Sequence, residues 1–401
     1  MIFSSILVWL KLPARVHNLT GPKMDFLYNS ITLITWQQVL MWVIGATLIY
    51  LAISKKLEPP LLLPMGFGAI LVNLPLSGAL DQTLPGIGHV SGIIDWLFDV
   101  GIEASEAMPI LLFIGIGAMI DFGPLLSNPR LLLFGAAAQF GIFITVTAAV
   151  LLGFDLKDAA SIGIIGAADG PTSILVSQVL KSKYIGPIAV AAYSYMALVP
   201  IIQPFAIRLV TTKKERMIRM KYNPKGVTRM TRILFPITVT VIAGLVAPAS
   251  IALVGFLMFG NLIRECGVLG TLSGSAQKEL VNLITLLLGI TIAASMRADL
   301  FVSVETMMIM GLGLLAFIFD TIAGVTFAKL LNLFLKTKMN PMVGAAGISA
   351  FPMSARVVQR MGLEADPQNH LLMHAVGANV AGQIASVIAG GVIIGLMAGL
   401  I

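Results

Sequence analysis

The sequence predicts an all-α polytopic membrane protein. Of its 401 residues, 57% are hydrophobic and 11% are charged, whereas ordinary soluble domains carry roughly 25% charged residues. With a mean hydropathy of +0.95, the chain has too few charged side chains to cover a soluble surface. It is therefore predicted to lie in lipid along most of its length, and its net charge of +7 does not indicate a partner nucleic acid.

Apolar runs long enough to cross a hydrocarbon core, about 20 helical residues, begin at Trp36 and recur to the C-terminus. We predict ten to twelve transmembrane segments, near 36–54, 61–78, 107–121, 130–153, 159–180, 186–210, 233–247, 249–264, 279–297, 304–333, 341–361 and 369–400. The shorter patch Ile2–Leu10 is predicted to be interfacial and not a signal peptide, because no small-residue cleavage site follows it.

Basic residues are concentrated in one loop. From Lys213 to Arg232 the sequence holds eight basic residues and the single acid Glu215, and Lys and Arg collect in cytoplasmic loops. The predicted organisation is an N-terminal interfacial segment (1–35), a first membrane repeat (36–210), a basic cytoplasmic loop (211–232) and a second membrane repeat (233–401).

Two of the predicted segments are interrupted by helix-breaking residues. The run 159–180 holds Asp169 among three glycines and Pro171, and the run 341–361 holds two prolines and two glycines near Arg356. Proline removes a helical hydrogen bond, and unwound backbone is tolerated at membrane depth only where protein or a water-filled cavity surrounds it. Both segments are therefore predicted to be broken helices.

The two interrupted segments resemble each other at an offset of 181 residues. Gly166, Pro171, Ser173 and Gln178 align with Gly347, Pro352, Ser354 and Gln359. Phe67-Gly68 also has a counterpart in Phe259-Gly260, and Gly115 with Asp121 has one in Gly289 with Asp299. Two related halves, each with one broken helix, are typical of transporter folds whose site lies between the repeats near the membrane midplane.

Asp169 is the sharpest functional candidate, because an acid at the centre of a span costs about 2.5–3.5 kcal/mol on insertion scales. Thr172 and Ser173 offer hydroxyl oxygens beside it, and the broken helix frees carbonyl oxygens. This set favours a site for Na+ or a proton. The alternative is an N-cap of the second half-helix, and the two roles are compatible. The second half offers similar oxygens without an acid, from Asn340, Ser349 and the carbonyls near Gly344.

Arg356 lies in an apolar run where arginine is rare. Its guanidinium could hold a carboxylate or a ureido group, or it could form a structural ion pair with Asp169 or another buried acid. In the first half, Tyr193 and Tyr195 are considered as hydroxyl ligands or proton donors, although tyrosine in a span usually packs. Asn379 and Gln383, one helical turn apart, are predicted to form interhelical hydrogen bonds.

Four stretches, taken together, resemble a known family. They are Gly-Ala-Ala-Asp-Gly-Pro-Thr-Ser (166–173), Ser-Gly-Ser-Ala-Gln-Lys-Glu-Leu (273–280), the run from Asn340 to Val357, and His-Ala-Val-Gly-Ala-Asn-Val-Ala-Gly (374–382). In this order they are similar to the beta subunit of the sodium-pumping biotin-dependent decarboxylases, from about Trp36 to the C-terminus.

The resemblance implies an activity and a set of site residues. The subunit would decarboxylate carboxybiotin in the membrane, couple this to Na+ export, and move by an elevator-like shift of the domain with the broken helices. The Na+ and proton site would fall on Asp169, Thr172, Tyr195, Asn340, Gly344 and Ser349. Arg356 would meet the carboxybiotin, with Tyr195 and Ser349 as further catalytic residues.

The resemblance also implies partners and a location. The implied partners are a carboxyltransferase alpha subunit, a biotin carrier domain and a small membrane gamma or delta subunit, with the chain itself homo-oligomeric. No Ala-Met-Lys-Met biotinylation site occurs in this sequence, so the carboxybiotin would come from a partner chain. The location would be the bacterial inner membrane. The alternative function is a Na+- or H+-coupled symporter of organic anions that has no chemistry of its own.

Overall fold

A computed structural model describes residues 31–56, 59–84, 88–104, 107–221 and 226–399. The predicted interfacial patch at Ile2–Leu10 lies outside these residues. Within them the chain is mostly helical, with one short antiparallel hairpin of β1 (Gln82–Leu84) and β2 (Gly88–Val90). The all-α class is thus confirmed.

Most helices up to the basic loop overlap the predicted apolar runs, whereas two short ones, Ile93–Phe98 and Gly123–Ser127, lie outside them. In chain order the helices are α1 (Trp36–Ser54), α2 (Pro59–Val72), α3 (Ile93–Phe98), α4 (Ala107–Met119), α5 (Gly123–Ser127), α6 (Leu132–Ala138), α7 (Phe140–Leu151), α8 (Leu156–Gly163), α9 (Gly170–Val179) and α10 (Ile185–Val210). A π-helical segment, Asp99–Glu103, extends α3, and 3-10 turns lie at Pro129–Leu131 and Ile164–Ala167.

The remaining helices begin in the loop with α11 (Lys213–Arg216). They continue as α12 (Arg229–Val246), α13 (Ile251–Glu265), α14 (Gly270–Ser275), α15 (Val281–Ile292), α16 (Ala298–Phe301), α17 (Val304–Phe334), α18 (Met342–Ala345), α19 (Met353–Ala365) and α20 (Leu372–Ala398). 3-10 turns lie at Pro248–Ser250 and Ala293–Met296, and a π-helical segment, Ala276–Leu280, joins α14 to α15.

The number of helices that can cross a membrane is smaller than the ten to twelve predicted. Six among the described residues are long and apolar enough, namely Trp36–Ser54, Pro129–Leu151, Arg229–Val246, Gly270–Met296, Val304–Phe334 and Leu372–Ala398; two bent pairs raise this to eight. The difference arises because the runs 159–180 and 341–361 are each divided into short helices, and because α2 has only 14 residues.

One of the bent pairs is α10, whose halves Ile185–Met196 and Leu198–Val210 meet at 71°. Pro200 explains the place of the bend, since a proline cannot donate to the carbonyl four residues earlier, at Met196. The bend matters for the site because α10 packs on α9 through its first half, and Gln203 of its second half hydrogen-bonds in the region of α18 and α19.

The largest group of buried apolar side chains surrounds the two interrupted segments. It includes Phe134 of α6, Phe317 of α17, Ile348 and Ala350 of the second interruption, and Ala381 of α20. The unwound backbone is therefore enclosed by protein, as a break at membrane depth requires.

Candidate cation site at the two broken helices

The structure confirms that both predicted segments are broken. In the first, α8 continues into the turn Ile164–Ala167, Ala168 adopts a left-handed conformation (φ 54°), and α9 starts at Gly170. In the second, α18 ends at Ala345 and α19 starts at Met353. Each break leaves backbone amides and carbonyls without helical partners, which other groups must satisfy.

The two breaks touch each other. Ser349, in the second break, donates its backbone N–H and its hydroxyl to the Ala167 carbonyl oxygen in the first, at 3.1 and 2.6 Å. Ser349 is 3% exposed. Its hydroxyl therefore connects the segment that carries Asp169 with the segment that leads to Arg356.

Asp169 caps α9 as the alternative interpretation expected. Its Oδ1 accepts from the backbone N–H of Thr172 at 3.3 Å, and its Oδ2 accepts from the Thr172 hydroxyl at 2.7 Å. The positive end of a helix dipole lies at the N-terminus and favours a negative charge there. The cap role and a cation site remain compatible, because one carboxylate can serve both.

The last helix supplies the other contacts of this carboxylate. Ser386 donates its hydroxyl to Asp169 Oδ2 at 2.8 Å, and Gln383 donates its amide at 3.3 Å. Four residues before Gln383, Asn379 donates to the Ile348 carbonyl in the second break at 2.6 Å. The interhelical hydrogen bonds predicted for Asn379 and Gln383 are thus confirmed, and α20 joins both breaks.

The electrostatic environment of Asp169 lacks a counter-charge. The carboxylate is 4% exposed, and within the described ranges no Lys, Arg or His forms an ion pair with it. Its side-chain neighbours are hydroxyls and an amide. A hydroxyl that donates to a carboxylate still has lone pairs for a cation, so these groups could hold Na+.

Tyr193, and not Tyr195, lies beside this carboxylate. A Cβ built on Gly170 would meet the Tyr193 ring at 2.4 Å, and the Tyr193 hydroxyl interacts electrostatically with Asp169. That hydroxyl is buried without a hydrogen-bond partner in the described part of the chain. Tyr195 faces α17 instead, where its hydroxyl donates to the Met310 carbonyl oxygen. Residues two apart on a helix point in different directions.

Asn340 lies toward the basic loop. It is fully buried, and its amide donates to the carbonyls of Arg216 and Ile218, both at 2.9 Å. No hydrogen bond joins it to Asp169 among the residues that the structure describes. Gly344 packs backbone to backbone against α17, where a Cβ would lie 2.0 Å from the Gly324 carbonyl oxygen. The predicted ligands of the second half are therefore spread along the second interrupted segment.

Arg356 lies one turn into α19 with an exposed side chain. Its guanidinium has no hydrogen bond or ion pair with any described residue, so the predicted alternative of an ion pair with Asp169 or another buried acid is wrong. A guanidinium can form paired hydrogen bonds with a carboxylate. Its neighbour Arg360 differs, because it donates to the Pro200 carbonyl at 3.0 Å.

Sequence reasoning missed two polar residues here. Ser386 follows Asn379 by seven residues and Gln383 by three, so all three share one helix face, and this spacing could have revealed it. Gln203 donates to the Ala345 carbonyl at 2.8 Å and to the Ser354 hydroxyl at 2.6 Å, which ties α10 to both sides of the second break. No signal in the sequence distinguished Gln203 from a packing residue.

Comparison with known proteins adds to this geometry. Residues 37–397 match the family of the Na+-transporting oxaloacetate decarboxylase beta subunit. The chain is 47% identical to the methylmalonyl-CoA decarboxylase subunit beta of Propionigenium modestum, over 89% of this chain and 94% of that protein. It is 45% identical to the oxaloacetate decarboxylase beta chain 2 of Salmonella typhi, with the same coverage. It is 46% identical to the glutaconyl-CoA decarboxylase subunit beta of Acidaminococcus fermentans, over 91% and 94%.

Proposed function

Because this chain belongs to the family of Na+-transporting oxaloacetate decarboxylase beta subunits, we propose that its two joined breaks bind Na+ at Asp169 and couple it to carboxybiotin decarboxylation. The chain is a multi-pass membrane subunit of a sodium-transporting, biotin-dependent decarboxylase, and it works in a complex with other subunits. This family membership supports the decarboxylase function over the predicted symporter.

The single observation that carries the Na+ assignment is the lone carboxylate of Asp169. It accepts hydrogen bonds from the side chains of Thr172, Gln383 and Ser386, and no positive side chain described in the structure neutralises it. A buried charge without a counter-charge is costly, so Na+ that binds at Asp169 would stabilise the carboxylate. With one carboxylate and otherwise neutral ligands, the site would still release the ion. The hydroxyls would turn their lone pairs toward the ion.

Coupling would run through Ser349. Because its hydroxyl bonds to Ala167, two residues before Asp169, a shift of the first break on Na+ binding would move the second break and the start of α19. Arg356 stands on that helix. Carboxybiotin would bring the carboxyl group to be released, and Arg356 would orient it by paired hydrogen bonds. Tyr195 and Asn340 remain part of the proposal, as residues at the periphery of the Na+ site.

The partner that presents carboxybiotin would be a biotin carrier domain charged by a carboxyltransferase alpha subunit, with a small gamma or delta subunit in the membrane. Relatives named for methylmalonyl-CoA, oxaloacetate and glutaconyl-CoA are 47%, 45% and 46% identical to this chain. Such similar values support the proposal that the chain meets only the carboxylated biotin and does not read the substrate. The proposed location is the bacterial inner membrane.

Two related halves, and an elevator-like motion, are also part of this proposal. Gly68 of α2 packs on Ala293 at the end of α15, and its predicted counterpart Gly260 of α13 packs on Ile114 of α4. The other predicted pair does not match in this way, because Gly289 of α15 packs on the Leu61 carbonyl of α2 whereas Gly115 of α4 packs on Val281 of α15. The corresponding contacts of Gly68 and Gly260 across the halves are what supports an internal duplication. The moving part would hold both breaks and α20.

Asp169→Asn in the assembled complex tests the proposal. The amide keeps the size and one acceptor oxygen but removes the charge, so we expect loss of Na+ uptake into proteoliposomes and of decarboxylation, with normal subunit assembly. The matched control is Glu364→Gln, which removes a charge from an exposed side chain that pairs with Arg208 and should leave both activities intact. Full activity of Asp169→Asn at ordinary Na+ concentration would exclude the assignment.

A further inference from the structure

Asp320 is a second buried carboxylate that the proposed cycle does not use. It lies near the midpoint of the 31-residue helix α17 and is fully buried. An acid at this depth of a membrane protein is costly unless it has a partner or a purpose. It lies in the predicted span 304–333 but is not among the predicted site residues.

One oxygen of the Asp320 carboxylate accepts hydrogen bonds from the backbone. Asp320 Oδ1 accepts the backbone N–H of Gly141 at 2.5 Å, and the N–H of Ile142 also faces the carboxyl group. Both residues belong to the first turn of α7, directly after the interruption at Gln139 within the span Pro129–Leu151, and the Gly141 N–H is directed to the carboxylate there. The surroundings can therefore hold an ionised carboxylate.

The other oxygen of the Asp320 carboxylate differs from the first. Asp320 Oδ2 is buried and has no hydrogen-bond partner in the described ranges. It faces Gly166, where an added Cβ would lie 2.6 Å from Oδ2 and 2.9 Å from the Ala316 methyl carbon. Gly166 belongs to the turn that ends just before Ala168 and Asp169. The unpaired oxygen thus adjoins the first break on the side of α17.

Charged groups of the surrounding elements do not compensate it. By sequence, α6, α7, α18 and the turn Ile164–Ala167 carry no titratable side chain. On α8, Lys157 is half-buried, and Asp158 bonds to Ser182 and Lys183. On α10, the Tyr193 ring lies against Gly170, the Tyr195 hydroxyl donates to the Met310 carbonyl and Arg208 pairs with Glu364. On α17 itself, Lys329 pairs with Glu215 and Glu305 is exposed.

We propose that Asp320 is a proton-exchange site of this membrane domain, separate from the Na+ site at Asp169. Its ionised Oδ2 takes up one proton to form the neutral acid and later returns it, with no other bond made or broken. A proton needs only one oxygen, whereas Na+ needs several oxygen ligands, and no hydroxyl or amide group bonds to Oδ2 in the described structure. The first-turn amides of α7 stabilise the ionised form, which makes release of the proton possible.

The use of this proton rests on the proposed function. When carboxybiotin loses CO2, its ring nitrogen gains one hydrogen in place of the lost carboxyl carbon, so each turnover consumes one proton. Asp320, buried against the first break, is where that proton can be held inside the membrane domain. The existence of the exchange site itself does not depend on the decarboxylation step.

Infrared difference spectroscopy on the assembled complex tests the inference without reading activity. Spectra are recorded between alkaline and neutral pH without Na+, for the wild type, Asp320→Asn, Asp320→Glu and Asp169→Asn. We expect a C=O stretch of a protonated carboxylic acid that appears as the pH falls and shifts in D2O. It should be present in the wild type and in Asp169→Asn, lost in Asp320→Asn and displaced in Asp320→Glu.

Several results would overturn the inference. They are identical spectra of the wild type and Asp320→Asn at every pH, a band that neither titrates nor exchanges in D2O, and a band abolished by Na+ at constant pH, which would make this a Na+ site. If Asp320→Asn does not assemble, Asp320→Glu decides by the displacement of the band. Inactivity of Asp169→Asn bears on the Na+ assignment alone, so the two failures are distinguishable.

Discussion

The hydroxyl of Ser386 lies 2.8 Å from Oδ2 of Asp169 although 217 residues separate them in the sequence. Ser386 stands on the last helix, seven residues beyond Asn379, which bonds to the second break. Seven residues of helix span about 10 Å. One rigid helix therefore contacts both breaks, and a cation bound at Asp169 would be felt directly by α20.

Ser386→Ala should weaken Na+ binding while the fold is kept. Hydrogen bonds to charged groups contribute about 1.5–3 kcal/mol, and about 1.4 kcal/mol corresponds to a tenfold change in an equilibrium constant. We expect the Na+ concentration for half-maximal decarboxylation to rise about tenfold. The matched control is Ser250→Ala, since the Ser250 hydroxyl is buried and, among the described residues, bonds to the Ala247 carbonyl alone. An unchanged Na+ dependence in Ser386→Ala would separate this serine from the cation site.

The two tyrosines of α10 should have different roles. Tyr193 lies at Asp169, and its hydroxyl has no hydrogen-bond partner among the described residues, so Tyr193→Phe should raise the Na+ concentration for half-maximal activity several-fold. Tyr195→Phe removes a hydrogen bond to Met310, so it should lower the maximal rate and leave the Na+ dependence unchanged. Steady-state decarboxylation measured over a range of Na+ concentrations distinguishes the two, and the reverse assignment would restore Tyr195 as the direct ligand.

Arg356→Lys should abolish decarboxylation of both protein-bound and free carboxybiotin. The expected loss follows because lysine cannot form the paired hydrogen bonds of a guanidinium. It should be the same whichever carboxyltransferase is present. Arg360→Lys is the control, because Arg360 is committed to Pro200 and Glu364. Normal turnover of free carboxybiotin by Arg356→Lys would assign Arg356 to docking of the carrier domain.

The attachment of the basic loop to α19 should depend on pH. Arg219 donates to both oxygens of Asp366, at 2.5 and 3.1 Å, and this bond lowers the pKa of the Asp366 carboxyl below its ordinary range. A lowered pKa in the folded state stabilises it above the unfolded pKa, and this is lost as the pH falls through the folded value. Asp366→Asn should therefore lower the Tm at neutral pH, and its difference from the wild type should vanish in acid. A constant difference at all pH values would contradict the pairing.

The proposed cytoplasmic position of the loop is tested with a single cysteine. Lys221→Cys in a Cys266→Ser background should resist a membrane-impermeant thiol reagent in intact cells and react after the cells are opened. Lys221 is exposed, so burial would not hide it. Labelling in intact cells would reverse the orientation of the whole chain and place Arg356 on the wrong side for a cytoplasmic carrier domain.

The sequence by itself determined the solvent in which the chain lies, the places where its helices break, and the lone acid in the first break. These properties are local. Glycine and proline act on the backbone within one turn, and the cost of a carboxylate in lipid depends on its own depth. Asp169 and the two interruptions could therefore be predicted from neighbouring residues, and the family resemblance supplied the function.

Only the tertiary structure decided which side chains meet. The contacts of Asp169 with Gln383 and Ser386, and of Ser349 with Ala167, join residues far apart in sequence. It also decided that Tyr193 points toward Asp169 while Tyr195 points to α17, and that one oxygen of Asp320 has no hydrogen-bond partner within the described ranges. Periodicity gives the face of a helix but not the neighbour that the face will contact, because that neighbour is fixed by how all the helices pack together.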